Sequence, residues 1–234
     1  MTIHELVASL EPEINAVRQQ IHENPELGLK EYNTSALIEK ELRAKTHVDR
    51  IEHIGETGLL VEIKGTKPGA AHCIALRGDM DALPIKEDES HELRSRTDGI
   101  MHACGHDVHT SILLGAVRVL EHYRNQIAGS ILFFFQPSEE TLQGGKLFAE
   151  SPKIDFHTID GVAALHVTPD LCAGKIGVRY GAILGSSDEL TITVKGKGGH
   201  GAHPDTVIDP ILLAAQIVQA LQMLVSRELA ADES

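Results

Sequence analysis

The chain has 234 residues, 42% of them hydrophobic, and carries 21 basic against 34 acidic side chains, which gives a net charge of −13. This length allows a large domain or two small ones, and the acidic balance excludes nucleic acid as the main partner. No apolar stretch approaches the ~18 residues of a membrane helix, no signal core follows a basic start, and the cysteine number is odd, so we expect a cytoplasmic protein without membrane contact.

Helical and strand patterns alternate along most of the chain. Apolar spacing predicts a helix over residues 4–22 and a second from Thr34 to Ala44, capped by Asn33 or Thr34. A third helical pattern covers residues 108–123. Short apolar runs typical of strands cover residues 58–63, 73–76, 131–135 and 162–166. Strands separated by such a helix predict an α/β fold, with a mostly parallel sheet flanked by helices.

The pattern changes after about residue 185. Residues 189–195 alternate as a half-exposed strand does, a glycine-rich turn follows at 196–201, and a helix is expected over 207–225. One strand and one helix cannot close a core by themselves. We therefore predict two domains, residues 1–184 and residues 185–234, of which the second is only the first part of a smaller α+β domain.

Residue types that bind metals follow three of the predicted strands. They are Asp79 and Asp81, then Glu139 and Glu140, and finally His166. Because ligands of open parallel sheets bind at the carboxyl ends of strands, these side chains are expected to meet at one edge.

A fourth group of such residues precedes the long helix. It runs from His102 to His109, and Gly105 allows a turn that directs Cys104 and His106 to a common point. For any one of these residues, a core or solvated position is the commoner explanation. Together the four groups predict a divalent metal site, and the single nearby cysteine argues against a structural zinc knuckle.

The adjacent Glu139 and Glu140 suggest two different roles. One carboxylate can bind metal while the other acts as general base on water, whose pKa a metal lowers; two solvated acids after Pro137 are the alternative. The glycine-rich turn lacks the Lys-Ser/Thr ending of a phosphate loop, which excludes nucleotide binding. His200 on that turn is either a surface residue or a substrate contact. Structural roles are expected for His22, His102, His109 and His203.

Six motifs occur together and in order: His22–Gly28, Gly78–Ile85, Met101–Asp107, Phe135–Glu140, Ala164–Val167 and Gly196–Gly201. Together they resemble the metal-dependent amidohydrolases that include hippurate hydrolase, N-acyl-amino-acid aminoacylases and auxin-conjugate hydrolases, relatives of the zinc carboxypeptidases. The resemblance implies a two-metal, exopeptidase-like catalytic domain and a smaller lid domain that forms a homodimer.

The resemblance also implies a ligand set for two divalent ions. Cys104 corresponds to the ligand shared between the ions, His106 and His166 to ligands of one ion, and Glu140 to a ligand of the other. A thiolate with imidazoles favours zinc, while manganese, cobalt and nickel stay open.

Three further roles follow from the resemblance. Glu139 corresponds to the general base and Asp81 to the carboxylate that orients a ligand histidine. His200 corresponds to the lid-domain histidine that stabilises the oxyanion, often across the dimer interface. The implied reaction is hydrolysis of the amide bond of a small N-acyl amino acid.

The family pattern continues beyond Ser234. On that ground a second ion is expected to have only Cys104 and Glu140 as ligands, and weak or absent activity and poor solubility are expected. Two alternatives therefore stay open beside the amidohydrolase. One is an inactive fragment that binds one ion or pairs with a full-length partner, and the other is a metallo-dipeptidase or carboxypeptidase.

Overall fold

The computed structural model describes residues 1–183 and 190–224. The chain forms two compact units, Met1–Ala173 and Gly174–Ser234. The domain boundary expected between residues 184 and 185 lies outside the described residues and stays a prediction. None of the helices in the described ranges is long and apolar enough to cross a membrane.

The first unit alternates helices and strands, as the sequence patterns predict. Its helices are α1 (Ile3–Glu23), α2 (Tyr32–Lys45), α3 (His106–His122) and the short α4 (Gly144–Ala149). Its strands are β1 (Arg50–Ile54), β2 (Gly58–Lys64), β3 (His72–Asp79), β4 (Gly129–Gln136) and β5 (Gly161–Ala164).

The five strands form one sheet in the order β1-β2-β4-β3-β5. Strand β2 runs antiparallel to β1 and β4, whereas β3 runs parallel to β4 and β5, so every strand except β2 points the same way. Helix α3 makes the connection between the parallel neighbours β3 and β4. The predicted α/β fold with a mostly parallel, helix-flanked sheet is confirmed.

The core lies on both faces of this sheet, because successive side chains of a strand point in opposite directions. On one face Leu59 and Phe133 pack with Ile21, Ile38 and Leu114 from helices α1, α2 and α3. On the other face the next residues of the same strands, Leu60 and Phe134, pack with Phe148 of α4 and with Ile154. Full burial of each such side chain contributes about 1.5–3 kcal/mol to folding.

Two details of the first unit differ from the sequence-based expectations. Helix α2 begins after Glu31. The free backbone N–H groups of its first turn are bound by the side chain of Glu26 and not by that of Asn33 or Thr34. The Glu26 carboxylate accepts the backbone N–H groups of Asn33 at 3.1 Å and of Thr34 at 2.8 Å. Strand β1 was not predicted, because it is an edge strand in which only Ile54 is buried.

The second unit contains one long helix among its described residues, α5 (Pro210–Met223). Asp209 caps this helix through hydrogen bonds from the N–H groups of Ile211 and Leu212. Residues 190–195 form no strand, because the described part of the unit offers them no strand to pair with. Among the described residues near them, an isolated antiparallel bridge joins Lys197 and Ile208.

Candidate metal centre

The register of the sheet brings the chemically active segments to one edge. Asp79, the last residue of β3, pairs with Gln136 at the end of β4, and Arg77 pairs with Ala164 at the end of β5. The segments that follow these ends carry Asp81, Glu139–Glu140 and His166. The carboxyl ends of three parallel strands therefore meet, as the topology of such sheets requires.

Helix α3 begins at this edge because of Gly105. That residue is the N-cap of α3, with φ +82°, in the left-handed region that glycine adopts most easily. A side chain at position 105 would also collide with Cγ2 of Val167. The turn makes His106 the first residue of the helix and leaves Cys104 just outside it.

Two groups of predicted site residues are brought together around His106. The ligand atoms of Cys104, His106 and His166 lie within 4.8 Å of one another, and so do those of His106, Glu139 and Glu140. Sγ of Cys104 is 3.4 Å from Nε2 of His166. Nδ1 of His166 donates to the carbonyl of Val167 at 2.6 Å, so Nε2 is the nitrogen left for a ligand bond.

Two buried polar atoms at the centre of these groups have no hydrogen-bond partner among the described residues. They are Nε2 of His106 and Oε1 of Glu140. Nδ1 of His106 donates to Asp81 at 3.3 Å, and Nε2 lies 3.8 Å from carboxylate oxygens of Glu139 and Glu140. Buried polar atoms are normally paired, so this arrangement fits a cation between the imidazole and the carboxylates.

The charge of the site also fits a cation. Burial, followed by the charge of Glu140 and of Glu139, raises the pKa of the Cys104 thiol to about 12. Burial likewise raises the pKa of Glu140, where the charge of His106 opposes it and that of Glu139 adds to it. Burial lowers the pKa of His106, but the hydrogen bond to Asp81 and the neighbouring carboxylates outweigh this effect and raise it. A divalent ion would compensate this excess of negative charge and hold the thiol as thiolate.

Asp81 contacts the backbone of both glutamates as well as the His106 ring. Its side chain is buried and accepts the backbone N–H of Glu139 at 2.9 Å and of Glu140 at 3.0 Å. The side chain of Glu139 is 36% exposed, so water and a small substrate can reach it. One buried carboxylate thus orients a ligand ring and the turn that carries the two glutamates.

Glu31 supports the same turn and was missed by sequence analysis. Its fully buried carboxylate accepts the N–H of Ser138 at 2.8 Å and the hydroxyl of Thr57 at 2.8 Å. Ser138 has φ +52°, and a side chain at Gly28 would come within 2.7 Å of its Oγ. The motif around Gly28 therefore packs against the turn before Glu139. No local sequence pattern indicates this contact.

Asp79 and His109 also belong to this edge. The sequence places Asp79 among the metal-binding residue types that follow the strands, without a specific role, and predicts a structural role for His109. Both are buried, and His109 Nδ1 lies 2.6 Å from Asp79 Oδ1. The signal that could have identified His109 is its position three residues after His106, on the same face of α3.

His200 lies in the second unit, where it is exposed. Its Nδ1 accepts the N–H of Ala202 at 3.1 Å, and its carbonyl accepts the N–H of His203, which closes a turn over residues 200–203. The predicted contact of His200 with substrate stays a prediction.

Comparison with known proteins agrees with this geometry. Residues 75–233 match the sequence model of the peptidase family M20/M25/M40. The chain is 40% identical over 227 residues to thermostable carboxypeptidase 2 of Saccharolobus solfataricus. This alignment covers 95% of the chain and 56% of that relative. It is 38% identical over 226 residues to the N-acyl-L-amino acid amidohydrolase of Geobacillus stearothermophilus. This alignment covers 96% of the chain and 60% of that relative. The chain thus spans a little over half the length of these relatives.

A solved structure supports the same comparison. The chain resembles a dinuclear metal-binding peptidase of the M20 family from Bacillus subtilis, with a TM-score of 0.68 and 34% identity. The match covers 74% of this chain and 47% of that one.

Proposed function

The chain belongs to the peptidase family M20/M25/M40, and from this membership we propose that it is a metal-dependent hydrolase that cleaves the amide bond of N-acyl amino acids. The resemblance to an N-acyl-L-amino acid amidohydrolase supports the substrate class. The observation that carries the proposal is the buried Nε2 of His106, which has no hydrogen-bond partner among the described residues and lies 3.8 Å from carboxylate oxygens of Glu139 and Glu140.

We propose that Cys104, His106, Glu140 and His166 hold the metal. Cys104 would be the ligand shared between two ions, His106 and His166 would bind one of them, and Glu140 would bind the other. The set of a thiolate, imidazoles and a carboxylate favours zinc, with manganese, cobalt and nickel as further possibilities. When bound, such ions polarise a carbonyl group and lower the pKa of water.

The proposed general base is Glu139. Its carboxylate lies beside the unpaired nitrogen of His106 yet is open to solvent, so it can take a proton from the attacking water. The same carboxylic acid would then give this proton to the nitrogen of the departing amine. Asp81 holds Glu139 in place because its carboxylate accepts the backbone N–H of Glu139.

Further proposals concern the second unit and the surroundings of the protein. We propose that His200 stabilises the oxyanion of the substrate, and that the second unit forms a homodimer. The three cysteines are free, which fits a reducing compartment such as the cytoplasm.

A carboxypeptidase or dipeptidase is the second candidate, favoured by the 40% identity to a thermostable carboxypeptidase. Both activities would use the same metal ligands and the same base. A panel of N-acetyl and N-benzoyl amino acids, unblocked dipeptides and N-blocked dipeptides separates them, because a dipeptidase prefers a free amino group and a carboxypeptidase also cleaves the peptide bond of N-blocked dipeptides. Metal analysis separates both from an inactive fragment, for which one ion or none per chain is expected.

The decisive variant for the proposed activity is Glu139→Gln. We expect hydrolysis of N-acetyl amino acids to be abolished by chelators and to fall roughly 10²–10⁴-fold in this variant, because general-base catalysis contributes about that much. The metal content should stay unchanged. Glu11→Gln, on the exposed surface of α1, is the matched control and should keep full activity. Wild-type activity in Glu139→Gln would remove Glu139 from the mechanism.

A further inference from the structure

His109 uses both of its ring nitrogens and lies next to the proposed ligands. Its Nδ1 donates to Oδ1 of Asp79 at 2.6 Å, and its Nε2 accepts the backbone N–H of Val167 at 3.0 Å. The ligand atoms of Asp79, His106 and His109 also lie within 4.8 Å of one another. Because both nitrogens of His109 are already engaged, His109 has no lone pair left for a metal.

Val167 connects this histidine to a proposed ligand. Its N–H binds the His109 ring, and its carbonyl accepts Nδ1 of His166 at 2.6 Å. The rings of His109 and His166 meet edge to face, with centroids 4.7 Å apart. His166 itself is exposed and follows the end of the edge strand β5, so few other contacts restrain it.

Asp79 anchors the other side of His109. Its second carboxylate oxygen accepts a hydrogen bond from Nη1 of Arg77 at 2.6 Å. Its backbone carbonyl accepts a hydrogen bond from the hydroxyl of Thr110 at 2.6 Å. Both Asp79 and His109 are about 1% exposed in their side chains. The chain of contacts from Arg77 to Val167 therefore starts in the sheet and ends beside His166.

We propose that Asp79 and His109 form a positioning pair, which holds the segment of His166 so that Nε2 of His166 faces Cys104. This proposal rests on the metal centre of the proposed function. In this role the pair would orient a ligand and would be neither a ligand nor a substrate contact itself. Groups that orient metal ligands in this way typically change metal affinity about 10–100-fold when they are removed.

Two substitutions of His109 separate its two hydrogen bonds. His109→Asn keeps an N–H near the position of Nδ1, toward Asp79, but is too short to reach Val167. His109→Gln places its side-chain carbonyl near the position of Nε2, where it can accept the N–H of Val167. His122→Asn, at the other end of α3, is the matched control.

The test is a titration of each purified variant with Co²⁺, followed by visible absorption, with circular dichroism as the check of folding. We expect the Kd for Co²⁺ to rise about tenfold in His109→Asn, with an altered d–d spectrum, because one ligand is no longer oriented. His109→Gln should recover most of the affinity, and His122→Asn should match the wild type.

Three results would overturn the proposal. Wild-type affinity and spectrum in His109→Asn would show that the contact with Val167 does not matter. Equal loss in the Asn and Gln variants would point to His109 itself as a ligand. Absence of Co²⁺ binding by the wild type would refute the proposed function as well, whereas the first two results leave it intact.

A measurement on the wild type covers the case in which His109→Asn does not fold. Imidazole ¹H–¹⁵N correlation spectra should show His109 as the Nδ1–H tautomer, both with and without Zn²⁺. The Nε2–H tautomer, or a zinc-dependent change to a metal-bound nitrogen, would overturn the proposal.

Discussion

Single buried side chains determine the geometry of the site. Asp81 accepts hydrogen bonds from the His106 ring and from the N–H groups of Glu139 and Glu140. A buried carboxylate destabilises the fold unless such partners compensate for its lost hydration. The burial of Asp81 is compensated because three donors of the site converge on its carboxylate.

His22 illustrates how a residue of the first motif affects stability. Its Nδ1 lies 2.9 Å from Asp107 and its Nε2 lies 3.2 Å from Glu87, while Arg18 shares the same oxygen of Asp107 and the ring of His102 stacks on His22. The hydrogen bond to Asp107 raises the pKa of His22, burial of the ring opposes it, and Glu87 adds to it.

These contacts predict a pH-dependent contribution to stability. Because the pKa of His22 is higher in the folded than in the unfolded state, its contribution is fully present below the unfolded pKa of about 6.5 and is lost as the pH rises through the folded pKa. Urea unfolding of the wild type and of His22→Gln should therefore differ most near about pH 6 and converge at alkaline pH. His157→Gln, at an exposed site, is the control. A difference that grows with pH would contradict this account.

At the scale of elements, the turn after β4 depends on residues that are distant in sequence. Glu31 and Ser138 are 107 residues apart in sequence, yet the N–H of Ser138 is satisfied by the Glu31 side chain. Thr57, between them in the chain, donates its hydroxyl to the same carboxylate. The loop before α2 thus holds the turn that carries the proposed base.

Removal of this support should destabilise the first unit. Glu31→Ala leaves buried donors of Ser138 and Thr57 without an acceptor, so we expect the free energy of unfolding to fall by on the order of 2 kcal/mol. Glu31→Gln keeps one carbonyl oxygen and should lose less. Denaturant unfolding measures both, with Glu11→Ala as the exposed control. If Glu31→Ala were as stable as that control, the carboxylate would not anchor the turn.

The helices and the central strands could be predicted because their apolar spacing directly reflects burial on one or both faces. Strand β1 could not, since an edge strand with one buried residue has little hydrophobic pattern. Cys104, His106 and the two glutamates stood out as dense local motifs. Glu31 and the pairing of Asp79 with His109 did not, because they act through contacts between residues far apart in sequence.

At the scale of the whole molecule, the proposed metal centre would couple metal binding to folding. The proposed ligands come from the segment before α3, its first turn, the turn after β4 and the end of β5, and the sheet brings these together only in the folded state. An ion that binds only the folded protein must stabilise it.

This coupling predicts a metal-dependent melting temperature. At a Zn²⁺ concentration about 100-fold above the Kd, the stabilisation is about 2.7 kcal/mol. For a chain of this size that corresponds to a rise of roughly 5–10 °C. Differential scanning calorimetry with Zn²⁺ and with a chelator measures it. A melting temperature that is unaffected by either would contradict a metal centre in this unit.

The most direct test of the central claim is the absorption spectrum of the Co²⁺-loaded protein. A thiolate bound to Co²⁺ gives a charge-transfer band in the near ultraviolet, and the three cysteines of the chain are free. We expect this band in the wild type and in Cys73→Ser and Cys172→Ser, and we expect it to be lost in Cys104→Ser. A wild type without the band, or a band that survives in Cys104→Ser, would contradict a metal centre built on Cys104.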